Sequence, residues 1–200
     1  MIRKLVLPAA ALLLSACAGG ARVPEDNFYR FEIAAPVTRM QAPALEGILS
    51  VQVGAAAPVY RDRAFLYSEA QAPERLQRYH YHYWTDTPPR LLQRSLADYL
   101  RAAGVATAVV LPEDAIDERY RLRVDIERFE HLRDRDGGEV SVGVSLTLSE
   151  RGTGTLLLQE RLHAEAAVQG DDHADLAAAY QRATQDVYAR ILSRLQDRRP

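Results

Sequence analysis

Residues 120–168 read YRLRVDIERFEHLRDRDGGEVSVGVSLTLSERGTGTLLLQERLHAEAAV, and three stretches of this segment alternate apolar with polar side chains. Tyr120, Leu122, Val124 and Ile126 share one face of the first. Val140, Val142, Val144, Leu146 and Leu148 do so in the second, over 139–149. Leu156, Leu158, Leu162, Ala164, Ala166 and Val168 do so in the third, with Glu160 as the exception. Successive side chains of a strand point to opposite faces, so a period of two marks a half-buried strand. The links RDRDGG and RGTG are turn-rich, and an antiparallel meander with one apolar and one wet face is expected. The apolar face needs a cover. Directly downstream, Leu176, Tyr180, Ala183, Val187, Ile191 and Leu195 recur at helical spacing, with Asp171 or Asp172 placed to cap.

Toward the N-terminus the period changes again. Thr87 suits an N-cap, Pro88 the first helical position, and Leu92, Leu96, Tyr99, Leu100 and Ala103 form a stripe ending at Gly104. VATAVV (105–110), GILSVQV (47–53), RAFLYSEA (63–70), YHYHYW (79–84) and NFYRFEI (27–33) read as strands. The fold class that follows is α/β: one domain, a mixed and largely antiparallel sheet, and two main helices on one face. No period of 20–50 residues repeats along the chain.

The first residues carry a different signal. MIRK is a positive n-region, and LVLPAAALLL is an apolar run of ten, the length of a signal-peptide core and too short for a permanent span. LLSAC follows, placing small residues before Cys17, the chain's only cysteine. By resemblance to the bacterial lipobox, residues 1–16 are a lipoprotein signal peptide and Cys17 is the acylated mature N-terminus. Residues 17–26 are then the lipidated N-terminus and a flexible tether, and 27–200 the folded domain. Ala18 stands where an Asp tends to retain enterobacterial lipoproteins at the inner membrane, which favours the outer membrane. A lone cysteine supplies no disulfide, so the domain has to hold by its core. Without Arg3 and Lys4, 23 arginines stand against 27 acids, a net charge of about −4. No block of like charge points to nucleic acid.

YHYHYW raises the question of chemistry. In a regular strand His80 and His82 share a face and could share a metal, but a catalytic zinc site usually takes three protein ligands; besides the acids only His131, His163 and His173 remain, and neither His131 nor His163 lies in an apparent ligand cluster. There is no G-x-S-x-G elbow and no phosphate-binding glycine fingerprint, and the acidic pairs Glu113–Asp114 and Asp117–Glu118 sit in a loop. The expectation is no enzyme, no metal and no cofactor. Alternation puts Tyr79, Tyr81 and Tyr83 on one face and His80, His82 and Trp84 on the other. Trp84 is expected to plug the corner where the strand turns into the Thr87 helix, and the tyrosines to serve that corner or a partner surface.

The lipobox LSAC, then FYRFEI, ILSVQV, AFLYSEA behind Tyr60 and Arg61, and above all YHYHYWTDTPPRLLQRSLADYLRAAG, followed by RLRVDIERFE, resemble in their order the ABC-type transport auxiliary lipoprotein family. The tryptophan of this family is often followed by an acidic residue and proline, a pattern that WTDTPP keeps loosely. The resemblance implies a fold like the anticodon-binding domain and no catalytic residues. It implies a periplasmic lipoprotein of the outer membrane, accessory to an ABC transporter and an MCE-type protein in lipid transport between membranes, and it leaves a homo-oligomer open. Two other readings stand beside it. One is an outer-membrane scaffold for cell-envelope assembly, either a peptidoglycan-synthase activator or a lipopolysaccharide-assembly component. The other is a metal-dependent hydrolase built on His80 and His82.

Overall fold

The structure, a computed structural model, describes residues 24–197. In chain order it contains β1 (Asn27–Tyr29), β2 (Leu45–Ala56), β3 (Ala64–Glu69), β4 (Ala72–Trp84), α1 (Pro88–Ala103), β5 (Ala106–Val110), β6 (Tyr120–Arg133), β7 (Glu139–Glu150), β8 (Leu156–Ala167) and α2 (His173–Gln196). The signal segment and Cys17 lie outside the described residues, as does the tether up to residue 23.

The meander forms as its alternation requires. β6 and β7 pair antiparallel from Tyr120↔Glu150 to Leu132↔Glu139, and β7 and β8 from Glu139↔Ala167 to Ser149↔Leu156. β6 is longer than its period-two run, because the register shifts between Ile126 and Arg128. This bulge at Glu127 resets the alternation, so Phe129 and His131 face inward after Ile126. The other edge of β6 is shared. Its first half pairs parallel with β2, from Leu49↔Tyr120 onward, and its last residues pair parallel with β3, over Tyr67↔His131 to Glu69↔Arg133. The sheet therefore forks, with β5 extending the β2 branch and β4 then β1 extending the β3 branch. Its two longest ladders, β6–β7 and β7–β8, are antiparallel, while β1–β4, β2–β5, β2–β6 and β3–β6 pair parallel.

Both helices cover one face. The α2 stripe Leu176, Tyr180, Ala183, Val187, Ile191 and Leu195 is buried throughout. Asp172 caps it by accepting from the Ala174 N–H, and Asp175 reaches back to the Asp172 N–H at 3.4 Å. Thr87 takes the N-cap position of α1 without using its side chain; Asp86 Oδ1 accepts the Thr87 N–H at 2.8 Å instead. Gly104 ends α1 at φ +69°, a left-handed conformation that glycine adopts without penalty. The helices meet where the Tyr188 hydroxyl donates to the Leu92 carbonyl at 2.9 Å and lies 2.8 Å from Ser95 Oγ.

One strand expectation is corrected. NFYRFEI pairs only over Asn27–Tyr29, because its partner β4 ends at Trp84, opposite Tyr29. Beyond that point the chain runs along α2 instead. Gln181 donates to the Arg30 carbonyl at 3.2 Å, and Gln185 both accepts from the Ala34 N–H at 3.0 Å and donates to the Ala34 carbonyl at 3.1 Å. Phe31 and Ile33 still pack on the core. Their alternation reflects burial under the helix, not a ladder.

Candidate functional site

YHYHYW closes β4 between edge strand β1 and helix α1. Along the β3–β4 pair, Leu66 stands opposite Arg78 and Ala64 opposite Tyr83, so Phe65 alone faces the four residues 79–82. Tyr81 takes up the excess at φ +66°, a conformation unusual for a bulky residue. The period of two breaks there, and the expected division of faces is corrected. Tyr79, His82 and Trp84 turn toward the helices, Tyr83 turns to Phe28, and Tyr81 stands at the exposed edge. His80 is exposed while His82 is drawn inward, so the two histidines form no ligand pair.

Trp84 is the corner plug. It is 1 % exposed, and its ring centroid lies 4.2 Å from Phe65, 5.2 Å from Tyr180, 5.4 Å from Phe31 and 6.0 Å from Phe129. Edge-on and tilted ring pairs of this kind add stability beyond the area they bury. Its backbone N–H donates to the Arg63 carbonyl at 2.7 Å, which fixes the strand end before the chain turns into α1.

Beside the plug, three histidines from distant segments converge. His82 and His173 stack with centroids 3.5 Å apart and planes 5° from parallel. The Tyr29 hydroxyl lies 2.9 Å from His82 Nδ1. Tyr79 meets His173 edge-on at 4.9 Å and places its hydroxyl 2.9 Å from His131 Nδ1. His131 Nε2 lies 2.6 Å from the Gly137 carbonyl, which can only accept, so Nε2 carries the proton and Nδ1 accepts from Tyr79. Burial pushes all three imidazoles below their ordinary pKa; the neighbouring His82 adds to the effect at His173, while Asp172 opposes it at His82 and His173. Both ring nitrogens of His131 and Nδ1 of His82 are thus engaged in hydrogen bonds. It borders a cavity of about 340 Å³, whose other walls include Arg133, Asp134, Asp171 and Asp172. Among the described residues no three His, Cys, Asp or Glu side chains are disposed to hold a metal ion.

On the outer side of the same strands lies an aromatic edge. Phe28 is 53 % and Tyr81 38 % exposed, Tyr83 packs 5.8 Å from Phe28, and the Arg63 guanidinium sits 5.5 Å from the Phe28 ring. Sequence reading singled out Tyr81 and Tyr83 but missed Phe28, Arg63, His131 and His173. The parallel pairing of β1 beside β4 brings in Phe28, while the Glu127 bulge and the docking of the α2 N-terminus bring in the histidines. No local motif records any of these.

Fold and site define a small α/β domain with a part-buried histidine cluster at one cavity and exposed aromatic rings beside its first strand. The chain belongs to the family described as ABC-type transport auxiliary lipoprotein component, whose model matches residues 29–192. Among solved structures, a DUF330-family protein from Xanthomonas campestris is similar at TM-score 0.75 and 20 % identity, covering 86 % of this chain and 95 % of its own. A second, described only as an uncharacterized protein, is similar at TM-score 0.67 and 14 % identity, covering 86 % of this chain and 99 % of its own. At these identities the likeness shows the shared fold. No curated protein matches the chain.

Proposed function

We propose that the protein is a lipid-anchored, non-catalytic accessory subunit of an ABC transport system that moves lipid between membranes through an MCE-type periplasmic partner. The match to the auxiliary lipoprotein family, spanning nearly the whole described domain, carries this reading. The lipobox supports it: acylated Cys17 would anchor the chain at the periplasmic face of the outer membrane. There the tether would hold the domain at high effective concentration near its partner. Its work would then be docking and positioning. Among the described residues no helix is long and apolar enough to cross a membrane, consistent with attachment by the lipid.

Chemical crosslinking in intact cells, followed by affinity isolation from detergent-solubilised envelopes, tests the reading. The expected captures are an MCE-type protein and the permease or ATPase of an ABC system. Recovery of peptidoglycan synthases or lipopolysaccharide-assembly proteins in their place would refute it. Mass spectrometry of the mature N-terminus should find Cys17 acylated, and sedimentation should place the protein with the outer membrane.

A further inference from the structure

We infer that the aromatic edge formed by Phe28, Tyr81, Tyr83 and Arg63 is a membrane-contact surface that rests in the interfacial zone of the bilayer carrying the anchor. The inference deepens the proposed function and rests on its acylation of Cys17.

Three observations converge on this edge. The first is where the chain outside the described residues ends. Phe28 follows Cys17 by only eleven positions. Eleven residues can span at most about 40 Å however they are arranged. Asn27 joins the edge directly, its side-chain amide donating to the Tyr81 carbonyl at 3.3 Å, and its register partner is His82. β1, the strand nearest the anchor along the chain, is therefore part of this edge.

The second is its chemistry. Rings with an apolar body and a polar tip concentrate at membrane–water interfaces, where the body meets the acyl boundary and the hydroxyl remains among headgroups. Tyr81 and Tyr83 are such rings, and Phe28 adds an apolar one that the fold leaves more than half exposed. Arg63 lies against Phe28 and makes no ion pair among the described residues, so its guanidinium is available to a lipid phosphate. The third is the backbone. Tyr81 holds its left-handed conformation within the register slip, and the residue is 38 % exposed. The other exposed large apolar side chains lie outside this edge: Val37 between β1 and β2, Ile116 before the start of β6 and Leu156 at the start of β8.

Contact at this edge would do more than tether. A domain held by a lipid alone can take any orientation. Resting on the β1–β4 edge would fix it.

The test uses the full acylated protein in vesicles of phosphatidylethanolamine and phosphatidylglycerol in equal parts. Cys17 is the only cysteine and its acylated thioether does not react, so Phe28→Cys, Tyr81→Cys and Ile116→Cys each accept one nitroxide label. Relaxation by oxygen, which partitions into the bilayer, is compared with relaxation by a water-soluble nickel chelate. The inference expects labels at 28 and 81 to be favoured by oxygen over nickel several-fold more than the label at 116. Vesicle-bound protein with labels at 28 and 81 as nickel-accessible as the one at 116 would overturn it. Shielding of 28 and 81 from both reagents, appearing only when an MCE-type protein is added, would overturn it in favour of a protein partner. Unmodified Cys17 with the protein free of vesicles would instead sink the anchoring on which the inference rests. The parent chain with Arg63→Gln, bound to the same vesicles, should lose part of its preference for the anionic lipid.

Discussion

Replacing Trp84 by alanine separates a structural corner from a binding residue. The ring is 1 % exposed and touches four aromatic neighbours drawn from β3, β6, α2 and the segment after β1. Those neighbours are themselves packed together, with Phe129 and Tyr180 at 4.7 Å, so they cannot collapse freely into the space left behind. Truncation of a buried aromatic in such a setting costs about 3–5 kcal/mol. For a domain of this size that is a melting point lower by roughly 6–20 °C. In urea it moves the midpoint by roughly 1–2 M, at a slope near the upper end for small proteins. Far-UV circular dichroism is the suitable readout, because the substitution removes the chain's only tryptophan. Trp84→Phe keeps the core apolar and part of the ring stacking, and should lose less than half as much. A Trp84→Ala midpoint within about 0.3 M of the parent, far below the expected shift, would refute the assignment of this ring as the seal of the corner.

Two further predictions probe neighbouring features. The folded protein holds His82, His131 and His173 below the ordinary value of 6.5, so on acidification the unfolded chain takes up these protons first. Stability should be level well above the ordinary imidazole value and fall as the pH drops through it, levelling again once the folded imidazoles are themselves protonated. Urea titrations across that range check this, and the joint change His82→Gln with His173→Gln should flatten the dependence. Gly138 turns the β6–β7 hairpin at φ +79°, where an added Cβ would overlap the Leu132 carbonyl oxygen. Gly138→Ala should therefore cost about 1–3 kcal/mol in the same titration, whereas Gly152→Ala, with open space around it, should cost little.

What the sequence disclosed divides along physical lines. The meander and both helices were legible because each buries a single regular face, and burial writes its period into the residues. The β6 run was legible only to Ile126, since the bulge at Glu127 resets the phase and the inward Phe129 and His131 then read as a new, shorter pattern. NFYRFEI shows the converse: its alternation is real, yet beyond Tyr29 it records packing under α2 rather than strand pairing. At YHYHYW, Trp84 ends the strand and is buried, but the division of faces that strict alternation implies does not hold. That division turns on one left-handed residue, Tyr81, in a register slip that no residue type announces. The histidine cluster was illegible for a related reason. Its members come from β4, β6 and the first turn of α2, and only the Glu127 bulge together with the packing of the α2 N-terminus against the β3–β4 branch brings them together.

Docking is the claim on which the account stands, and it can be measured directly. Acylated protein in nanodiscs is titrated with the purified periplasmic domain of the MCE-type protein encoded beside an ABC permease in the same cell, and separately with a peptidoglycan synthase. The account predicts saturable binding to the MCE-type protein, unchanged by Trp84→Phe and absent with the synthase. Binding to the synthase with none to the MCE-type protein or its transporter would contradict it.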